Sequence, residues 1–127
     1  MPSGWIQPPG SNAAWVVATD AAFEGSSSLK SGAISAGQKS ELAVQRTFVA
    51  GNVVFARKVA GGVLEFYVDG VLQASYTANQ DWASVTFSMP AGTHTLLWRY
   101  SGGNSAWIDS VTLPGVQTCI ERRCAPR

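Results

Sequence analysis

The chain has 127 residues, of which 46% are hydrophobic and 13% charged, with a net charge of +1. That composition describes one globular domain with an ordinary core, and it excludes intrinsic disorder and charge-driven binding of nucleic acid. No apolar run approaches the roughly 20 residues of a membrane-spanning helix, so membrane insertion is not expected.

The opening stretch MPSGWIQPPG lacks both the basic and the apolar region of a signal peptide, so either a leader has been removed or none is used. Residues 1–12 are rich in Pro and Gly and read as an extended arm anchored by Trp5 and Ile6. Residues 13–115 read as a sandwich of strands. Ala13 to Thr19 forms the first, a shorter one covers Leu29 to Ile34, and Ser40 to Phe48 alternates with Leu42, Val44 and Phe48 inward and Glu41, Gln45 and Thr47 outward. Val53 to Val59 leads through Gly61-Gly62 into a hairpin, VLEFYVDGVLQAS. A two-residue loop at Asp69-Gly70 mixes apolar and polar residues on both faces. A three-residue loop, Val68-Asp69-Gly70 with Gly70 as a bulge, pairs Phe66 with Leu72, Leu64 with Ala74 and Glu65 with Gln73, and is therefore expected.

Trp82 to Met89 places Ala83, Val85, Phe87 and Met89 on one side. His94 to Tyr100 places Leu96, Trp98 and Tyr100 together, a glycine loop covers Ser101 to Ser105, and Ala106 to Leu113 is the last strand of the body. The expected core includes Trp15, Phe55, Leu64, Phe66, Leu72, Phe87, Leu96 and Trp98. Residues 116–127 form a basic tail, in which Cys119 to Arg127 holds three Arg against one Glu. Eight or nine closely spaced strands without helical periodicity predict an all-β fold, an antiparallel two-sheet jelly-roll sandwich. An immunoglobulin-like sandwich is the rival, but its paired Cys and core Trp spacing is absent.

The blocks LEFYVDG (Leu64 to Gly70), AGTHTLLWRY (Ala91 to Tyr100) and AWIDSVTLP (Ala106 to Pro114), with Trp15, Gly25 to Ser28 and Trp82, carry a resemblance. Together they resemble a jelly-roll accessory module of bacterial secreted and surface proteins, akin to MAM and carbohydrate-binding sandwiches of galactose-binding or concanavalin-like architecture. The resemblance implies a recognition or adhesion role. It also implies a structural calcium held by Asp109 near the Gly25 to Lys30 backbone, with Glu24 as a further ligand, calcium being a hard cation that takes six to eight oxygens. The loops flanking Val59 and Ser101 to Ser105 are shorter here than in relatives.

Catalysis finds little support in these residues. There is no Gly-x-Ser-x-Gly elbow, zinc helix or phosphate loop, and His94 is the only histidine. Glu24, Glu65, Asp69 and Asp109 each have a structural reading, so no enzyme is expected. Glycan binding needs flat aromatic rings bordered by amides and charges. Tyr67 on the outward face of the hairpin, beside Glu65 and Gln73, meets that requirement. Trp82 and Trp107, opposite in parity to their strands' most apolar residues, and Arg57 with Lys58 are candidates to complete a groove. The expected partner is a polysaccharide or cell-surface glycan, and the expected place is outside the cell or on its surface.

Assembly is the competing reading: a homo-oligomer, a surface lattice, or a virion component such as a phage decoration protein, which needs no signal peptide. Cys119 and Cys124 enclose four residues, a loop that a disulfide can close; metal binding and a link between chains are the alternatives.

Overall fold

The structure is a computed structural model that describes residues 4–115 throughout, and of the tail only the backbone of 118–120 and 123–125. Among these residues it contains ten β-strands and no helix: β1 (Trp5–Ile6), β2 (Val16–Ala18), β3 (Ser28–Lys30), β4 (Lys39–Phe48), β5 (Gly51–Val68), β6 (Val71–Thr77), β7 (Gln80–Met89), β8 (Gly92–Thr112), β9 (Thr118–Ile120) and β10 (Arg123–Ala125).

Two of these strands are too long to belong to one flat sheet. Phe55 and Phe66 both lie on β5, and a straight strand would hold them roughly 36 Å apart at about 3.3 Å per residue. Their ring centroids are 5.0 Å apart. β5 therefore folds over on itself, and β8 turns with it. The pairing divides accordingly into two antiparallel sheets. The first runs β1, β4, β8 (92–101), β5 (63–68), β6. The second runs β2, β3, β8 (106–112), β5 (51–59), β7.

The fold-over is built on glycine. Gly61, Gly62 and Gly102 have φ of 73°, 69° and 78°, a region that side chains with a Cβ rarely enter. Gly61 pairs with Gly103, and the register slips between Ala60 and Gly61. The Tyr100 hydroxyl donates to the Gly61 carbonyl at 2.6 Å, clamping the corner from inside. The glycine loop expected at Ser101 to Ser105 is therefore not a loop but the bend of a continuous strand.

Burial follows from this architecture. Phe55, Leu64, Phe66, Leu96, Trp98 and Tyr100 are fully buried between the sheets, with Trp15 beside them. Trp98 is the hub: Phe55 meets it edge-on at 5.5 Å and Trp5 stacks on it at 5.3 Å, so the N-terminal arm contributes directly to the core. Phe87 packs against the cluster but is only partly buried, because β7 is the outermost strand of its sheet.

The hairpin differs from expectation. Asp69 and Gly70 both have positive φ, 51° and 80°, and Val68 pairs with Val71, which defines a two-residue loop. The mixed faces that this loop should produce are avoided by a bulge further on: Tyr67 pairs with Leu72, but Phe66 pairs with Ala74. The step leaves Gln73 over and restores the inward set. Leu72 consequently points outward and is 48% exposed, outside the core assigned to it.

Asp69 also fastens the turn to the next strand. Its carboxylate accepts from the Thr95 amide at 2.8 Å and pairs with His94 Nδ1 at 2.6 Å, while Nε2 of the same ring meets the Pro90 carbonyl at 3.0 Å. The bond to Asp69 raises the pKa of His94 above 6.5, and the bond from His94 lowers that of Asp69 below 3.8. The histidine contribution is complete below pH 6.5 and is lost as pH rises through its raised value. The aspartate contribution is complete above pH 3.8 and is lost as pH falls through its lowered value. Thermal stability from this pair should thus be greatest between those limits and decline towards alkaline pH, and His94→Gln should flatten the alkaline limb. A profile unchanged by that substitution would show that the pair contributes nothing.

Candidate functional site

The outer face of the first sheet carries three rows of side chains, each crossing β4, β8, β5 and β6 in register. One is Ala43, Leu97, Tyr67 and Leu72. The next is Glu41, Arg99, Glu65 and Ser75, and the third is Lys39, Ser101, Val63 and Thr77. An apolar row with one aromatic ring thus lies beside a row of alternating charge, which lies beside a row that is polar except for Val63.

Arg99 organises the middle of this surface. Its Nε donates to Glu41 Oε2 at 2.7 Å, its guanidinium carbon lies 4.9 Å from the centre of the Tyr67 ring, and Nη1 donates to the Tyr67 hydroxyl at 3.2 Å. Glu41 is 3% exposed, so its charge is desolvated and needs this partner, with Lys39 adding a longer contact at 3.7 Å. Burial, and then the Glu65 carboxylate accepting from the phenol, raise the pKa of Tyr67, so the ring presents a neutral hydroxyl. Beside Arg99 the surface falls into a cleft of about 430 Å³ lined by Gly37, Gln38, Lys39, Ser101 and Gly102. A second cleft of about 390 Å³ adjoins it at Gly37 and Gly102 and reaches Ile34 and Asn104. The charges of the face are balanced in place, Arg99 and Lys39 against Glu41 and Glu65.

Of the residues singled out in the sequence, Tyr67 and Glu65 are brought together here. Gln73 is not aligned with them, since it is the bulge residue, exposed, with its amide donating to the Val71 carbonyl at 3.1 Å. Trp82 and Trp107 lie on the other side of the molecule, on the outer face of the second sheet. Trp107 is only 8% exposed, with its indole donating to Asp20 at 3.1 Å and Lys30 over its ring at 5.3 Å. Phe23 lies against Trp82 with centroids 5.8 Å apart, so the segment between β2 and β3 covers both rings. Arg57 does not join Lys58 in a groove. It shares the inward parity of Phe55 and Val59, its guanidinium carbon lies 4.9 Å from the centre of the Tyr76 ring, and Nη1 donates to the Asp81 carbonyl at 2.7 Å. Lys58 faces outward and pairs with Asp81 at 3.2 Å.

Asp109 is fully buried, and its oxygens are turned to amides. Oδ2 accepts from the Phe23 and Glu24 amides, both at 2.9 Å, and Oδ1 from the Ser110 amide at 2.7 Å. Glu24 hydrogen-bonds the Ser110 hydroxyl. Amide hydrogens repel a cation where calcium needs carbonyl and carboxylate oxygens, and among the described residues no group of three His, Cys, Asp or Glu could hold a metal. The arrangement does not fit the calcium that the resemblance implies; Asp109 serves as the anchor of the 20–24 segment. Cys119 and Cys124 are directly opposite in the β9–β10 pairing, while their side chains lie outside the described residues.

Sequence reasoning missed Arg99, Leu97 and Glu41. The signal was present for all three, since the alternation of Ser40 to Phe48 turns Glu41 outward. If Leu96, Trp98 and Tyr100 face the core, Leu97 and Arg99 must face out beside Tyr67 once β5 and β8 pair.

No family model and no curated protein matches the chain. Solved structures do. The chain is similar to the secreted serine protease VesC from Vibrio cholerae (18% identity, TM-score 0.66), covering 80% of this chain and 23% of that one. It is similar to the K3 cleaved adhesin domain of Lys-gingipain from Porphyromonas gingivalis w83 (14% identity, TM-score 0.64), covering 90% of this chain and 93% of that domain. It is also similar to TmCBM61 in complex with β-1,4-galactotriose (19% identity, TM-score 0.62), covering 87% of this chain and 88% of that one. The chain thus has the β-sandwich jelly-roll fold of such modules, and it spans less than a quarter of the VesC chain.

Proposed function

We propose that this chain is a non-catalytic recognition module that binds a neutral polysaccharide or cell-surface glycan at a cell exterior, along the outer face of its first sheet. The observation that carries this reading is the pairing of the Tyr67 row with the Arg99 row. A pyranose has an apolar C–H face, which a partly exposed ring can cover, and a rim of hydroxyls, which guanidinium, carboxylate and phenol can bond. Similarity to domains described as adhesins and to a carbohydrate-binding module crystallised with galactotriose supports it.

Because Arg99 and Lys39 are matched by Glu41 and Glu65, binding should depend little on salt, unlike binding to a polyanion. The test is a glycan array followed by calorimetry, with β-1,4-galactotriose among the probes. Tyr67→Ala should weaken binding by at least about tenfold, the equivalent of ~1.4 kcal/mol. Arg99→Met should weaken it too while leaving the ring. Equal binding by wild type and both variants would discard the site.

A further inference from the structure

Strands at the edge of a sheet expose unpaired N–H and C=O groups, and proteins that stay monomeric blunt them by shortness, charge, proline or bulges. The sandwich has four edges. β1 is two residues long and β2 three, while β6 is interrupted by its bulge. β7 has a charge, Asp81, and a register shift only at its start, before Ala83. From Ala83 to Met89 it pairs without interruption with β5 on one side, and among the described residues nothing pairs with it on the other. That stretch, ASVTFSM, contains no charged residue, no proline and no glycine.

The order of residues within it is also self-complementary. If two copies of the strand meet antiparallel about Thr86, Thr86 faces Thr86, Ser84 faces Ser88, Val85 faces Phe87 and Ala83 faces Met89. All the hydroxyl pairs then fall on the outer face and all the apolar pairs on the inner face, because Val85 and Phe87 point towards the core. Hydroxyl pairs and aromatic to β-branched pairs are among the favourable cross-strand neighbours. Val85 and Phe87 are each left partly exposed in the single chain, which is what an inner face lacking its next strand would show. A charged residue anywhere in the stretch would oppose an apolar or hydroxyl partner across a two-fold axis, or itself at the centre; there is none.

We infer that the β7 edge is a self-association surface, on which a second copy of this chain adds its own β7 antiparallel about Thr86 to make one continuous sheet. The second copy is favoured over an unrelated strand because the pattern reads the same in both directions. The surface is separate from the face proposed for glycans, which belongs to the other sheet, so a dimer would present two such faces.

The experiment is sedimentation velocity over a range of concentrations on the full chain, with Thr86→Lys and, as control, Ser75→Lys on the outer face of β6. Wild type should show a reversible dimer. Thr86→Lys places like charges opposite each other at the axis and should raise the dimer dissociation constant at least about tenfold, whereas Ser75→Lys should leave it unchanged. Should Thr86→Lys fail to fold by circular dichroism, amide exchange of the wild type decides: slower exchange of residues 83–89 at higher concentration supports the pairing. A wild type that remains monomeric throughout, a dimer untouched by Thr86→Lys, or exchange at 83–89 independent of concentration overturns the inference. None of these outcomes bears on the Tyr67 site.

Discussion

Replacing Gly103 by alanine should cost about 3 kcal/mol of stability, as much as emptying part of the core. A Cβ there would lie 2.4 Å from the Gly61 carbonyl carbon, 2.4 Å from the Tyr100 hydroxyl and 2.5 Å from the Gly62 nitrogen. Two of these atoms are backbone of the strand crossing at the corner, so relief requires β5 and β8 to separate where both pass between sheets. The Tyr100 clamp would be pushed off the Gly61 carbonyl at the same time. Gly37→Ala is the informative comparison: φ is +80° but nothing lies within 4 Å, so only backbone strain of about 1 kcal/mol is expected. Urea midpoints distinguish the two. Equal midpoints would mean that the corner yields easily and that close approach of the two strands is not what fixes the bend.

Asp109→Ala should cost about 3 kcal/mol, since hydrogen bonds to a charged group contribute roughly 1.5–3 kcal/mol and buried donors are left without an acceptor. The Phe23, Glu24 and Ser110 amides all donate to this carboxylate, which is fully buried. Its loss should free the segment that covers the second sheet, and with it the Asp20 contact to the Trp107 indole. Tryptophan emission should therefore shift to the red in the folded variant. Wild-type melting temperature should be the same in calcium and in chelator. A calcium-dependent rise abolished by Asp109→Ala would show instead that the carboxylate serves a cation.

The proposed association surface and the proposed glycan face have different origins in the chain. The glycan face depends on residues far apart in sequence, Glu41, Glu65, Tyr67 and Arg99, which meet only because β4, β8 and β5 are neighbours. The association surface is a single stretch, and its symmetry is visible in seven consecutive letters, ASVTFSM. What the letters do not show is that β7 is an edge.

Local alternation was enough to place β4, β7 and the inward set Leu96, Trp98 and Tyr100, because a strand with one dry face must repeat every two residues whatever its neighbours are. It was enough, too, for the all-β sandwich and for the outward direction of Tyr67 and Glu65. The tertiary structure decided the rest. Alternation cannot count strands where glycine lets one strand bend through two sheets, so β5 and β8 each read as two. The hairpin has a two-residue loop where alternation along one unbroken ladder points to three, because Gln73 absorbs the mismatch in a bulge. Arg57 has the right parity for the core and the wrong chemistry; it turns inward because Tyr76, on the other sheet, offers its guanidinium a ring face at the open margin. Trp107 has the right chemistry for a ligand and is covered, since Asp109 draws the 20–24 segment over it. For Arg57 and Trp107 the deciding partner lies in a segment distant in sequence, and a contact between distant segments leaves no periodic trace in either of them.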